Sequence, residues 1–222
     1  MHLTQFGTFD AVYNRGYDGW APLNEFTQSC TMGIGTFHAL NGELVAFDNQ
    51  YFHCTQGVCR PAQQTDQLAW AAGISNVDNV QILTVRISDP LFGDTLLQHA
   101  LPEGVTEAAF MQRLWGLRMD GQFSLLTLTS TKPQHAPYPS IKTVIETSDR
   151  YEHQHLEATL IGFHAPSWMG GLKQAGFHWH GVDKHRQIGG HVLAFTIEKA
   201  TLQLYPLSGL RCHLPPHVMP TA

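Results

Sequence analysis

The sequence predicts an α/β protein, α+β-like, of two domains with mixed, mostly antiparallel β-sheets and few helices. Strand-like segments outnumber helical ones along the 222 residues. A hydrophobic fraction of 43% supplies a packed core for a chain of this length. A proline-rich segment at residues 132–139 is the best candidate for a domain boundary. We therefore divide the chain into an N-terminal domain, residues 1–135, and a C-terminal domain, residues 136–222.

The clearest local signal is a β-hairpin at residues 33–48. Asn41 and Gly42 separate two apolar-rich runs, and both residue types accept the positive φ that a tight hairpin turn needs. Period and composition predict further strands at residues 69–72, 80–87, 122–128, 156–164, 176–181, 191–197 and 201–205.

Two segments predict helices. Residues 106–117 fit one because Thr106 can cap its N-terminus and Phe110, Leu114 and Leu117 recur at helical spacing. Residues 140–146, after the prolines, predict a second, short helix. The order of the elements then favours antiparallel sheets over a parallel doubly wound one.

Composition excludes several classes of protein. A net charge of −5 and a pI near 6.2 argue against a nucleic-acid partner. No apolar run approaches the ~20 residues that span a bilayer, and the N-terminus does not resemble a secretory signal. We therefore expect a cytoplasmic protein without a membrane partner. In that compartment the four cysteines would be reduced thiols. Cys54 and Cys59, five apart, could ligate a metal, but ordinary core or loop positions are the simpler interpretation.

Histidine is unusually frequent: the 14 histidines outnumber the 13 lysines and arginines together. His178 and His180 are two apart, so on a strand their side chains share one face. A ten-residue connection ending in Gly189-Gly190 can return the chain as a hairpin and bring His191 beside them. Three imidazoles with an open position form the pattern of a catalytic zinc site.

A solvated strand face explains the same spacing without a metal. In the connection, Asp183 and His185 are expected to be solvated, although His185 could replace one of the three histidines. His153 and His155 form a second pair in charged surroundings, where we expect a solvated segment. Spacing alone therefore leaves metal binding and a solvated face open.

Residues 33–48, 162–172 and 176–193 together resemble the α-acetolactate decarboxylases. The order and spacing of these stretches agree with that family, and weaker similarity extends over nearly the whole chain. The resemblance implies a zinc ion on His178, His180 and His191, a catalytic glutamate at Glu43, a two-domain fold and a homodimer. Other divalent transition metals also suit three imidazoles.

The resemblance further implies a small-molecule substrate, a 2-hydroxy-3-keto acid: 2-acetolactate would become acetoin and carbon dioxide. Such chemistry needs a Lewis acid for the electron pair left by decarboxylation and an acid that protonates the product on one face. Glu43 shares a strand face with Val45 and Phe47, where a carboxylate is costly unless it is paired or near a metal. Alternatively, Glu43 lies at a solvated strand end after the Gly42 turn.

Two departures from the family pattern stand out. The family has an arginine before its proline-rich segment, where this chain has Thr129 and Ser130. Lys132 is a nearby cation, but moving by one residue along a strand reverses the face of the sheet to which a side chain points. The family also has a glutamate near its C-terminus, whereas this chain has no acid after Glu198; His217 is the nearest substitute, and a frayed tail is the simpler interpretation.

Three functions are consistent with these observations: a zinc decarboxylase acting on acetolactate, a divergent metalloenzyme acting on another hydroxy-keto compound, and a non-catalytic metal- or ligand-binding relative. A cupin-like metal fold is a structural alternative because cupins also use the HxH pattern. The glutamate expected a few residues later is missing, however, and His185 stands in that region.

Overall fold

The computed structural model describes residues 1–75 and 82–215 and consists of two β-sheets with a few short helices. The helices are α1 (Phe9–Tyr13), α2 (Leu23–Ser29), α3 (Leu96–His99), α4 (Glu107–Met111) and α5 (Ile141–Thr147). The strand-rich, mostly antiparallel fold with few helices is confirmed.

The first sheet has eight strands in the order β14-β1-β7-β3-β4-β5-β6, with β2 paired to β7. They are β1 (His2–Phe6), β2 (Ala21–Pro22), β3 (Met32–Phe37), β4 (Glu43–Phe47), β5 (Gln50–Thr55), β6 (Val58–Pro61), β7 (Gln67–Ile74) and β14 (Gly209–His213). Among the described residues, the pairing of β1 with β14 is parallel and the others in this sheet are antiparallel.

The second sheet has six strands in the order β10-β11-β12-β13-β8, with β9 paired to β13. They are β8 (Leu83–Ile87), β9 (Leu91–Phe92), β10 (Leu114–Ser130), β11 (Asp149–Ala165), β12 (Gly176–Asp183) and β13 (Gly189–Leu207). Strand β10 pairs with both β11 and β13, so β10, β11, β12 and β13 close into a ring. The residues that the sequence analysis singles out as metal ligands lie on β12 and β13.

The main core lies where the two sheets face each other. Ile34, Val45 and Trp70 of the first sheet pack in one cluster with Ile161 and Phe163 of the second. Burying side chains of this size stabilises the fold by about 1.5–3 kcal/mol each. This shared core holds β4 of the first sheet against the metal-ligand strands of the second.

The predicted hairpin is confirmed, but its turn is longer than the sequence indicates. Strands β3 and β4 pair with Thr36 opposite Glu43. A 3₁₀ turn at His38–Leu40 takes up most of the reversal, and positive φ falls on Ala39, Leu40 and Gly42. Asn41 keeps a negative φ of −75°.

The predicted helix at residues 106–117 is wrong in its second half. Thr106 caps α4 as expected, its side chain accepting a hydrogen bond from the Ala109 amide, but the helix ends at Met111. The following residues start β10, in which Trp115, Leu117 and Met119 alternate into the second core cluster. From residue 114 onward the apolar residues follow the period of two that is typical of a strand, although Leu114 and Leu117 also fit helical spacing.

The predicted bounds of other helices and strands agree closely with the structure. The helix after the prolines is confirmed as α5, which Ser140 caps by accepting from the Thr143 amide. The two strands predicted at 191–197 and 201–205 are one continuous strand, β13. Of the strand predicted at 80–87, residues 80 and 81 lie outside the described residues.

The expectation of four reduced cysteines is wrong for one pair. Cys54 and Cys59 form a disulfide across the β5–β6 hairpin, where they are direct cross-strand partners. Cys30 and Cys212 are free. A disulfide needs two cysteines that face each other across the strands, and spacing in the sequence does not show this.

The division at residues 135 and 136 stays a prediction. Both sheets draw strands from both ranges, since β8, β9 and β10 belong to the second sheet and β14 returns to the first. No helix within residues 1–75 and 82–215 has the length and apolar character needed to cross a bilayer.

Candidate metal centre and catalytic cavity

Three histidines meet where β12 and β13 pair. His178 and His180 alternate on β12, and His180 lies directly opposite His191 on β13. One ring nitrogen of each histidine lies within 4.8 Å of those of the other two. The HxH spacing and the hairpin return therefore bring together the three residues that the sequence analysis proposed.

Asp183 fixes the connection that returns His191 to the cluster. Its carboxylate accepts hydrogen bonds from the backbone amides of His185, Gln187 and Ile188 at 2.9, 2.7 and 2.7 Å. Asp183 is buried, so the expectation of a solvated aspartate is wrong. His185 is exposed and lies outside the cluster.

The geometry of the imidazoles fits a divalent ion. Nitrogens that each lie 2.0–2.1 Å from a tetrahedral ion are about 3.3–3.4 Å apart. Nε2 of His178 and Nε2 of His180 are 3.2 Å apart. Nδ1 of His180 lies 2.9 Å from the Leu44 carbonyl oxygen, which accepts a hydrogen bond when Nδ1 carries the proton. That bond orients the ring and leaves Nε2 free as a ligand.

All three imidazoles are neutral at physiological pH, as ligation requires. Burial, reinforced by the neighbouring imidazoles, lowers the pKa of His178 and His180 well below the ordinary value of 6.5. Burial also lowers the pKa of His191 to about 4. These three histidines could hold a metal ion.

Aromatic side chains support the His178 ring. Trp70 stacks on it with centroids 5.6 Å apart and planes inclined by 8°, and Phe9 meets it edge-on at 5.7 Å. Lys173 also packs against Trp70: its Nζ is 4.9 Å from the Trp70 ring centroid and 4.5 Å from that of Phe163. The stacked contact with Trp70 and the edge-on contact with Phe9 restrict the orientation of the His178 ring.

Glu43 lies beside the histidines and not at a solvated strand end. Its Oε2 is 3.6 Å from Nε2 of His180, and the residue is only 8% exposed. Burial raises the pKa of Glu43 to about 8, and a backbone hydrogen bond from Thr131 opposes part of that rise. A protonated carboxyl group beside a metal site can act as a general acid.

These groups share one cavity of about 290 Å³. Its apolar wall includes Val12, Leu40, Ile141, Ile145 and Leu193, and its polar part includes Glu43, Thr129, Thr131, Gln174 and the three histidines. The cavity is therefore largely apolar, with polar groups gathered around the histidines.

Sequence reasoning missed one charged residue of this cavity, Arg150. It is the direct cross-strand partner of Thr129, the position where the family arginine was sought. Lys132, the other cation considered, forms an ion pair with Asp149 at 2.8 Å and does not line the cavity. Only the β10–β11 register, which no local sequence pattern fixes, could have identified Arg150.

His155 is exposed and its Nδ1 lies 2.8 Å from Glu198, in agreement with a solvated segment. His153 is only half-exposed, and its Nε2 is enclosed without a hydrogen-bond partner among the described residues, so the expectation of a solvated pair is wrong for His153. His217, the candidate substitute in the tail, lies outside the described residues.

Fold and site define a two-sheet β protein in which three histidines that could hold a metal ion lie beside a buried carboxyl group. The chain belongs to the alpha-acetolactate decarboxylase family, whose model matches residues 3–219. The alpha-acetolactate decarboxylase of Methylococcus capsulatus is 29% identical, with 95% of this chain and 79% of the relative covered. That of Bacillus licheniformis is 25% identical, with 95% and 81% covered.

Solved structures show the same fold. The crystal structure of alpha-acetolactate decarboxylase from Bacillus subtilis strain 168 superimposes with a TM-score of 0.89 at 22% identity, covering 98% of this chain and 91% of that one. A Staphylococcus aureus protein described as similar to alpha-acetolactate decarboxylase gives 0.87 at 21% identity, covering 97% and 90%.

Proposed function

We propose that this protein converts 2-acetolactate into acetoin and carbon dioxide at the His178–His180–His191 cluster, with zinc as its metal and Glu43 as its acid. The observation that carries the proposal is the Glu43 carboxyl group 3.6 Å from His180 within the cavity of the cluster. Membership of a family of carboxy-lyases supports the reaction class.

His178, His180 and His191 would hold the metal through one ring nitrogen each. When bound, zinc supplies a Lewis acid for the electron pair that decarboxylation leaves on the substrate. The bond from the hydroxyl-bearing carbon to the carboxylate breaks, carbon dioxide leaves, and the electron pair moves towards the ketone oxygen. The carbon that lost the carboxylate then needs a proton.

Glu43 is suited to deliver that proton. A carboxyl group whose pKa is raised to about 8 keeps its proton at neutral pH. Its backbone lies at the start of β4, which the shared core holds against β12 and β13. Delivery from this fixed side sets the handedness of acetoin, and solvent then restores the proton on Oε1 or Oε2.

The proposal is tested by offering racemic 2-acetolactate to purified protein of measured zinc content and following acetoin above the spontaneous background. We expect formation that stops when a chelator strips the metal and returns on adding zinc. Full zinc occupancy without acetoin would contradict the proposed reaction and favour the non-catalytic alternative.

The apolar wall of the cavity favours a second candidate, decarboxylation of a related acid with a larger apolar substituent. Five aliphatic side chains face a cavity of about 290 Å³. Each additional buried methylene stabilises binding by about 0.8 kcal/mol. A higher kcat/KM for 2-aceto-2-hydroxybutyrate than for acetolactate would identify that acid as the better substrate.

The proposal includes the homodimer and the cytoplasmic location that the resemblance implies. Light scattering measures the first directly, since a dimer has twice the 24.7 kDa mass of the chain. Cell fractionation measures the second.

A further inference from the structure

Arg150 is the last member of a row of cross-strand partners that starts at the histidine cluster and crosses the second sheet. His180 is paired with His191, His191 with Thr129, and Thr129 with Arg150, through β12, β13, β10 and β11. Directly paired residues project to the same face of a sheet. Adjacent strands are about 4.8 Å apart, so the Cα of Arg150 lies about 10 Å from that of His191, within reach of a long side chain.

The next residues along the two strands face the opposite side, which confirms the orientation of this row. The Ser130 hydroxyl accepts a hydrogen bond from the Gly57 amide at 3.2 Å. The ring of Tyr151 lies 3.1 Å from where a Cβ of Gly57 would be. Since side chains alternate along a strand, Thr129 and Arg150 face the cavity, and both line it.

Arg150 is also the only lysine or arginine among the described residues that line this cavity. Its guanidinium forms no hydrogen bond or ion pair with any residue in 1–75 or 82–215, and the side chain is exposed. Of the other nearby cations, Lys132 is paired with Asp149, and Lys173 is buried against the Trp70 ring; neither lines the cavity. An anion entering the cavity therefore meets one unpaired guanidinium.

We propose that Arg150 binds the carboxylate of the substrate while the hydroxyl and ketone oxygens face the three histidines. This inference rests on the proposed function, because it takes the substrate to be a 2-hydroxy-3-keto acid. The planar fork of a guanidinium matches a carboxylate with two parallel hydrogen bonds. Thr129 cannot do this, and its hydroxyl already donates to the Asp149 carbonyl at 2.7 Å.

The test compares two unreactive probes on zinc-loaded protein by calorimetric titration. The acid 2,3-dihydroxy-2-methylbutanoate keeps the carboxylate but has no ketone to receive electrons. Its neutral partner, 2-methylbutane-2,3-diol, has a methyl group in place of the carboxylate. Both offer the same pair of hydroxyl groups, so the difference in their affinities reports the carboxylate contact.

For Arg150→Met we expect affinity for the acid to fall about 10- to 100-fold, with affinity for the diol unchanged within about twofold. Arg150→Lys should lie between the two, because an ammonium keeps the charge but loses the fork. Lys142→Met, which removes an exposed cation from α5, is the matched control and should behave as wild type. Zinc content and melting temperature should be the same in all four proteins.

Unchanged affinity of Arg150→Met for the acid would overturn the inference, as would an equal loss for both probes. Kinetic measurements distinguish a failure of the Arg150 inference from a failure of the proposed reaction. If wild type forms acetoin but Arg150→Met keeps its KM, the reaction stands and the inference fails. If wild type forms no acetoin yet binds the acid through Arg150, the reaction fails and the anion site stands.

Discussion

Glu43 shows how burial converts an ordinary side chain into a candidate acid. Its carboxyl group is nearly inaccessible to solvent and lies beside the His180 imidazole, so its charged form is poorly solvated. The sequence indicated the strand face but could not decide between a buried site and a solvated end. That decision depends on β12 packing over the start of β4, which is a contact between distant parts of the chain.

Replacing Glu43 by glutamine should abolish proton delivery while leaving the metal site intact. We expect kcat for acetoin formation to fall by about 10²- to 10⁴-fold, because general acid catalysis contributes that much. Zinc content should remain that of wild type, since the three histidines supply the ligands. The matched control is Glu25→Gln on the exposed face of α2, which should keep full activity. A Glu43→Gln protein with wild-type kcat would refute the role.

Lys173 is a second residue whose burial has a measurable consequence. It is 1% exposed, its Nζ has no hydrogen-bond partner among the described residues, and burial lowers its pKa to about 7. The faces of Trp70 and Phe163 favour the ammonium and oppose part of that fall. The folded state therefore resists protonation that the unfolded chain accepts readily.

The buried Lys173 makes the stability of the fold depend on pH. Between the ordinary pKa of 10.5 and about 7, the unfolded state binds a proton that the folded state does not, so this lysine lowers stability as pH falls through that window. Lys173→Met should raise the free energy of unfolding near pH 7 by roughly 2–4 kcal/mol, with the gain shrinking towards pH 10. Urea unfolding of both metal-free proteins at the two pH values measures this. A gain that is the same at both would contradict the account.

At the scale of elements, the β12–β13 connection positions the third histidine. Asp183 accepts three backbone hydrogen bonds within it, and the adjacent register sets His191 opposite His180. The glycines of this connection predict the hairpin, but nothing in the local sequence predicts that Asp183 is buried. Its burial follows from the closed arrangement of β10, β11, β12 and β13, which local sequence does not reveal.

Asp183→Ala should weaken both the fold and the metal site. Loss of the acceptor leaves three amides without their partner, which we expect to cost roughly 2–3 kcal/mol of unfolding free energy. Zinc affinity should fall about 10- to 100-fold, as for other residues that orient ligands. Lys184→Ala, which removes only a surface ion pair with Glu157, is the control. If competition with a chromogenic chelator shows equal zinc affinity for the two variants, Asp183 does not position the site.

Other elements show where sequence periodicity succeeds and fails. The β3–β4 hairpin and α5 were predictable as elements, although the reversal of the hairpin uses positive φ at Ala39 and Leu40 and not at Asn41. The strand at residues 114–117 was not, because Leu114 and Leu117 satisfy a helical period while Trp115, Leu117 and Met119 satisfy a strand period. Pairing of β10 with β11 and β13 stabilises the strand conformation of these residues, and that pairing is a tertiary effect.

For the whole molecule, the site exists because two sheets share one core. Glu43 comes from the first sheet, and the histidines and Arg150 come from the second. Sequence and resemblance predicted the strand-rich class, the three histidines and the glutamate. They did not predict Arg150 or the Cys54–Cys59 disulfide, because both depend on which residues face each other across strands.

The most direct test of the account is the metal content of histidine variants, measured by native mass spectrometry after dialysis against excess zinc and then zinc-free buffer. We predict one zinc ion per chain in wild type and in His185→Ala, whose side chain lies outside the cluster. His178→Ala and His191→Ala should lose it while remaining folded by circular dichroism. Retention of zinc by those two folded variants at the wild-type level would contradict the proposed site.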